Sequence, residues 1–220
     1  MHGSAVCVAG LDMDTGHTLR LNSPTPDLTT VRKLGVKPGI LIEVDWKPVH
    51  PQSHPHTEDG AWDEHTVKIV RSLPLTELIA AISPFASASI GDAFGKALFR
   101  GTGGSGAWPP GIGPRSLATI AATRLSVFVD PWNKAKASFT DAEGMDWRNV
   151  PFKDVEASIH QVRCSSCSTS FNGNLDREYS RSAKSFIRVG LARPEKMGEH
   201  EVGCWLQVTN ILARERTHFV

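Results

Sequence analysis

The chain has 220 residues, 21% charged and 40% hydrophobic, a composition that excludes intrinsic disorder and is long enough to bury a core in one large or two small β domains. Lys and Arg number 24 against 23 Asp and Glu, so no protein-wide basic field draws it onto nucleic acid, and any such contact must be local. No apolar run approaches the roughly 18 residues of a membrane-spanning helix and no leader pattern opens the chain, so a cytoplasmic protein without membrane contact is expected, its four cysteines reduced.

In chain order, Ala5 to Ala9 is a short apolar strand, Asp14-Thr15-Gly16 is turn chemistry and His17 to Leu21 alternates into a second strand, which makes a hairpin. Lys37-Pro38-Gly39 forms a turn before Ile40 to Trp46, a β-branched run with the character of a central strand. The polar, Pro-rich stretch from Pro48 to Gly60 is a loop. Pro74 to Ile82 has Pro in the first turn and an apolar face at Leu75, Leu78, Ile79 and Ile82, which predicts a helix.

Arg100 to Pro114 reads RGTGGSGAWPPGIGP, too rich in Gly and Pro for a helix or a central strand. It is expected to be a joint. Leu117 to Val129, Lys136 to Asp141 and Met145 to Pro151 follow as strands, then a short helix over Asp154 to Val162. The clearest strands are SFIRVGLARP, Ser185 to Pro194, and CWLQVTNILA, Cys204 to Ala213, where apolar and polar residues alternate with the period of a sheet. The fold class is mainly β with a few short helices. The predicted organisation is a first barrel over 1–99 with a helical extension, a joint over 100–116 and a second barrel over 117–220 with a CxxC insertion.

The segments CVAGLDMDTGHTLRL, IEVDWKPVHPQSHPHTED, GPRSLATI, ASFTDAEGMDW, SFIRVGLARP and CWLQVTNILA, in that order, resemble the bacterial dual OB-containing domain family over nearly the whole chain. The resemblance implies two OB-like small β-barrels, packed or linked, and a role in nucleic-acid recognition within bacterial defence or genome-conflict systems. It implies no catalytic residues. Family members usually carry a further strand and a Lys-x-Gly segment before the CVAG motif, so two expectations stand: a first barrel that lacks a strand, or a true start that lies upstream. The open edge would accept a partner strand or a second copy of the chain.

Several clusters bear on chemistry. Cys164 and Cys167 form a CxxC, half of a tetrahedral zinc site, with His160 nearby and no alignment to the family. Cys7 and Cys204 fall in strands and are expected to be small buried hydrophobes. His50, His54 and His56, with Glu58 and Asp59, put imidazoles and carboxylates close together, as a divalent-metal or proton-transfer site requires. Their spacing matches no zinc-protease pattern, and Pro51 and Pro55 exclude a helix displaying two His on adjacent turns. The Gly-rich segment lacks the Lys-Ser/Thr ending of a phosphate-binding P-loop, and no GxSxG or HExxH occurs.

A nucleic-acid surface needs aromatic faces for bases beside cations for phosphates. Trp62, Trp108 and Trp132 fall in loops and are the stacking candidates, while Trp46, Trp147 and Trp205 fall in strands. The binding set expected is Arg100, Trp108, Arg115, Trp132, Arg188 and Arg193, with Arg124, Lys134 and Lys136 in the same basic stretch. Three classes of function are therefore open: a nucleic-acid recognition module for single-stranded or structured nucleic acid, a protein-docking subunit, and a metal-dependent hydrolase built on the His50 to Asp59 loop.

Overall fold

The computed structural model describes residues 5–97, 99–100, 104–153, 184–196 and 202–214. Among these the protein is mainly β, with few and short helices. The first half contributes β1 (Val8–Leu11), β2 (Thr18–Ser23), α1 (Leu28–Lys33), β3 (Ile40–Glu43), β4 (Trp46–Pro48), β5 (Asp59–Trp62), β6 (Lys68–Ser72), α2 (Leu75–Ile82) and α3 (Ile90–Phe94). The second contributes β7 (Phe99–Arg100), β8 (Gly106–Trp108), β9 (Leu117–Val129), β10 (Ala135–Asp141), β11 (Asp146–Pro151), β12 (Ser185–Leu191), β13 (Glu195–Lys196) and β14 (Val202–Arg214).

The largest sheet has the order β11-β10-β9-β12-β14-β8-β7, with β13 paired to β14. It curls into a half-barrel, and a parallel bridge between Phe152 and Val208 joins the end of β11 to β14. Its concave side holds the main core, built from Ile120, Val127, Phe139, Trp147, Ile187, Leu206 and their neighbours. β1-β2-β5-β4 forms a second sheet, in which β2 and β5 run parallel, and β3 and β6 pair separately. α2 lays Ile82 against Phe186 of β12, with Leu78 and Ile79 beside it, as its apolar face predicts.

Three expectations about elements need correction. The Gly/Pro-rich segment supplies β8, which is paired on both sides: Cys204 lies opposite Trp108 on β14, and Phe99 opposite Ala107 on β7. Small residues make this possible. A Cβ on Gly203 would come within 2.9 Å of the Ala107 side chain, so glycine allows the close approach of the two strands. Ile40 to Trp46 is not one central strand but β3 and β4 in separate sheets, parted at Asp45, whose N–H is taken by the Thr66 hydroxyl. Cys7 precedes β1 and is exposed, whereas Cys204 is fully buried. The helix expected over Asp154 to Val162 lies outside the described residues.

The two halves are joined by polar contacts as well as packing. Thr57 donates to the Pro114 carbonyl at 2.7 Å and His54 Nδ1 donates to the Gly113 carbonyl at 2.8 Å. The segment read as a joint is thus held against the His-rich loop.

Candidate nucleic-acid interface

The convex face of β9, β10 and β11 is shaped by two bulges. Along β9 the core positions are Ala118, Ile120 and Ala122, then Leu125 and Val127. The inward phase slips by one residue, because Thr123 pairs with Thr140 and Ser126 with Ser138, leaving Arg124 and Leu125 opposite Phe139. The slip puts both Thr123 and Arg124 outward and Arg124 at φ 50°. β11 repeats the device. Trp147 pairs with Phe139 and Val150 with Ala137, so Arg148 and Asn149 both project outward, with Asn149 at φ 54°.

The third described non-glycine residue with positive φ is Asn133, at 59°, in the turn between β9 and β10. Two of the three therefore fall on β9 and β11 and the third on the turn between β9 and β10. Left-handed backbone at a residue with a Cβ costs on the order of 1 kcal/mol or more, and such strain collects where a side chain must be aimed. Here the residues aimed outward include two guanidinium groups.

The β9–β10 turn presents Trp132. Asp130 Oδ1 accepts from the N–H groups of Trp132, at 3.0 Å, and Lys134, at 2.8 Å, while the Asn133 N–H donates to the Asp130 carbonyl at 2.9 Å. The backbone of the tip is tied down, yet its indole is 78% exposed. Beside it, Phe128, Lys136 and Pro151 lie in line across the three strands. Phe128 is half-buried, and Lys136 Nζ is 3.8 Å from Asp130. Farther along the same face Asp146 lies between cations. It accepts from the Thr140 hydroxyl at 2.7 Å and from Arg148 Nη2 at 3.2 Å. The Thr140 hydrogen bond first, then Arg148, and the nearby charge of Arg124 hold this carboxyl below the usual range.

The residues singled out from sequence are dispersed by the fold. Trp108 is not a loop aromatic: it is 3% exposed, its Nε1 donates to the Gly95 carbonyl at 2.9 Å, and its ring packs against Phe94 and Trp147. Trp62 is likewise buried, at the end of β5, with Nε1 donating to the Pro24 carbonyl at 2.7 Å. Arg188 is buried in β12, donating to the hydroxyls of Thr18 and Thr119 and to the Gly10 carbonyl. Burial pushes its pKa down to about 10, so it stays charged at neutral pH and fastens the β1–β2 hairpin to the large sheet. Such an arginine cannot meet a phosphate without unfolding its surroundings.

Arg193, half-exposed after β12, shares the buried Asp59 carboxylate with Arg20 of β2. Arg115 is exposed just before β9, and Arg100 lies on β7 opposite Gly106, in a hairpin that the curl of the sheet brings against β11, where the Arg148 N–H donates to the Gly104 carbonyl at 3.3 Å. Of the expected set, Trp132 is the aromatic that remains available. Phe128 and Arg148 escaped sequence reasoning; the spacing of three between Trp147 and Val150, where two is the strand period, was the available signal.

The imidazoles of the His-rich loop do not converge. His50 is exposed, His54 meets Gly113, and His56 is 2% exposed with Arg20 Nη2 donating to its Nδ1 at 3.2 Å. Burial, then the charges of Arg193 and Arg20, push the His56 pKa down to about 4, against the opposing pull of Asp59 and the Ala192 carbonyl. Among the described residues no group of three or more His, Cys, Asp or Glu is placed to hold a metal ion. Cys164 and Cys167 lie outside the described residues. No described helix is long and apolar enough to cross a membrane.

The fold and site define a mainly β protein whose bulged convex face carries an aromatic tip and projecting cations. Comparisons with protein-family models, curated proteins and solved structures found no match.

Proposed function

We propose that the protein is a nucleic-acid recognition module that holds single-stranded nucleic acid on the convex face of β9, β10 and β11. The observation that carries the reading is Trp132, exposed on the β9–β10 turn tied down by Asp130, with the bulge-directed Arg124 and Arg148 exposed on β9 and β11 of the same sheet. A base stacks on an indole whatever its identity, and the cations meet the phosphates, which is the division of labour in sequence-tolerant single-strand binding.

The strand connectivity supports an OB-like second barrel. β9, β10, β11, β12 and β14 adjoin in the order β11-β10-β9-β12-β14, and the Phe152–Val208 bridge brings the third strand beside the fifth. In an OB barrel the second and third strands and the loop between the first and second form the ligand face, which here are β10, β11 and the Trp132 turn. An OB-like first barrel and a place in a bacterial defence or genome-conflict system rest on the family resemblance.

The test is fluorescence anisotropy of labelled single-stranded DNA, single-stranded RNA and duplex DNA at low and near-physiological salt. Binding to the single strands that weakens as salt rises, because counterions are released, supports the reading. Absence of binding to all three probes overturns it and favours a protein-docking subunit. The observation that favours docking is β6, all of whose residues are exposed, including Ile69 and Val70.

A further inference from the structure

We propose that Asp146 is a built-in attenuator of the nucleic-acid face, an internal anion that competes with the phosphate backbone for Arg148 and lowers the pull of Arg124. The inference rests on the recognition reading above. It follows from where the carboxylate stands: a face meant to attract a polyanion carries an acidic group among its projecting cations, and neighbouring groups keep that acid in place and ionised.

Asp146 opens β11, and its Oδ1 is held by the Thr140 hydroxyl on the adjacent strand at 2.7 Å. Its Oδ2 accepts from Arg148 Nη2 at 3.2 Å, with the Arg148 side chain 68% exposed and that of Asp146 44% exposed. One long contact to one guanidinium nitrogen leaves the rest of the donor fork of Arg148 facing solvent. A phosphate offers charge-assisted, bidentate geometry to the same fork, and so displaces the carboxylate rather than adding to it. The groups that bear on the carboxylate include the neutral Thr140 hydroxyl and the cations Arg148 and Arg124. The hydroxyl keeps the negative charge beside the guanidinium even after the phosphate arrives. The bound state therefore retains a repulsion that a neutral side chain of the same shape would remove.

A consequence is a face with affinity held below what its cations alone would give, suited to a protein that must release and rebind along a strand. Asp146→Asn tests this directly. The amide is isosteric and keeps an oxygen for the Thr140 hydroxyl, while its NH2 takes the place of the oxygen that accepted from Arg148, so the charge and the Arg148 contact are removed together. With labelled oligothymidylate and oligoadenylate, Asp146→Asn is expected to tighten binding about threefold to tenfold on both probes, as for a like charge near a bound phosphate at a solvated surface. Glu64→Gln, exposed in the first half, changes net charge equally and is expected to leave affinity within about twofold. The folded state of each variant is checked by thermal unfolding.

Unchanged or weaker binding by Asp146→Asn overturns the proposal, as does equal tightening by Glu64→Gln. A loss confined to one of the two probes also overturns it and assigns Asp146 to base contact instead. If the unaltered protein binds neither probe, the recognition reading itself has failed, which is a separate outcome.

Discussion

Glu58, in the loop before β5, accepts hydrogen bonds from the backbone N–H groups of Ser116 and Leu117 at 2.6 and 2.7 Å, and from the Ser116 hydroxyl at 3.0 Å. Carboxylate and donors are all buried. A single side chain thus satisfies the start of β9, 58 positions away in sequence. Glu58→Ala strands those donors without water, at roughly 1–3 kcal/mol for each unsatisfied group. The expected outcome is a loss of about 3 kcal/mol or more in urea unfolding, with Glu58→Gln losing less because its amide oxygen still accepts.

Asp59 predicts a contrast between its two arginines. Arg20 is buried and Arg193 is half-exposed, and both are bound to the one carboxylate, with Asn22 Nδ2 also donating to it at 3.2 Å. Asp59→Ala leaves the Arg20 charge buried without its partner, which costs on the order of 3–5 kcal/mol. Arg193→Ala removes a solvated partner and is expected to cost under about 1 kcal/mol. Chemical denaturation of the two variants side by side checks the ranking.

His56 sets a pH dependence of stability. Its folded pKa of about 4 lies below the unfolded value near 6.5, so between those limits the unfolded chain binds the proton and the folded one does not. Stability from this group is fully present above about pH 6.5, falls as pH drops from there towards 4, and loses nothing further below 4. The loss is roughly 3 kcal/mol at most. Urea unfolding at pH 7.5 and pH 5 should show a drop in the unaltered protein that is reduced in His56→Asn, measured relative to each variant's own stability at pH 7.5.

Trp132 and Trp108 should separate binding from folding. Trp132→Ala removes an exposed indole and is expected to leave stability within about 0.5 kcal/mol. It should weaken single-strand binding by roughly fivefold to a hundredfold, the range for loss of one stacked base. Trp108→Ala opens a hole between Phe94 and Trp147 and is expected to cost about 3–5 kcal/mol. Anisotropy and thermal unfolding on both variants distinguish the two roles.

Local pattern determined a good deal of this protein. β9, β10, β11, β12 and β14 were legible because alternation along a strand is written in consecutive residues, and α2 because its apolar face recurs at helical spacing. Tertiary structure decided what each side chain does. Trp108 is flanked by Gly and Pro that look like a loop, and only pairing with β14 turns that segment into a buried strand. Arg188 sits among apolar neighbours, and only the packing of the β1–β2 hairpin against it shows that its charge is spent inside. The bulges at Arg124 and Asn149 exist because neighbouring strands disagree by one residue in register, a relation between segments that neither strand carries alone. Glu58 is the same case at longer range, since a carboxylate's partners are chosen by the meeting of distant backbone, not by the residues beside it.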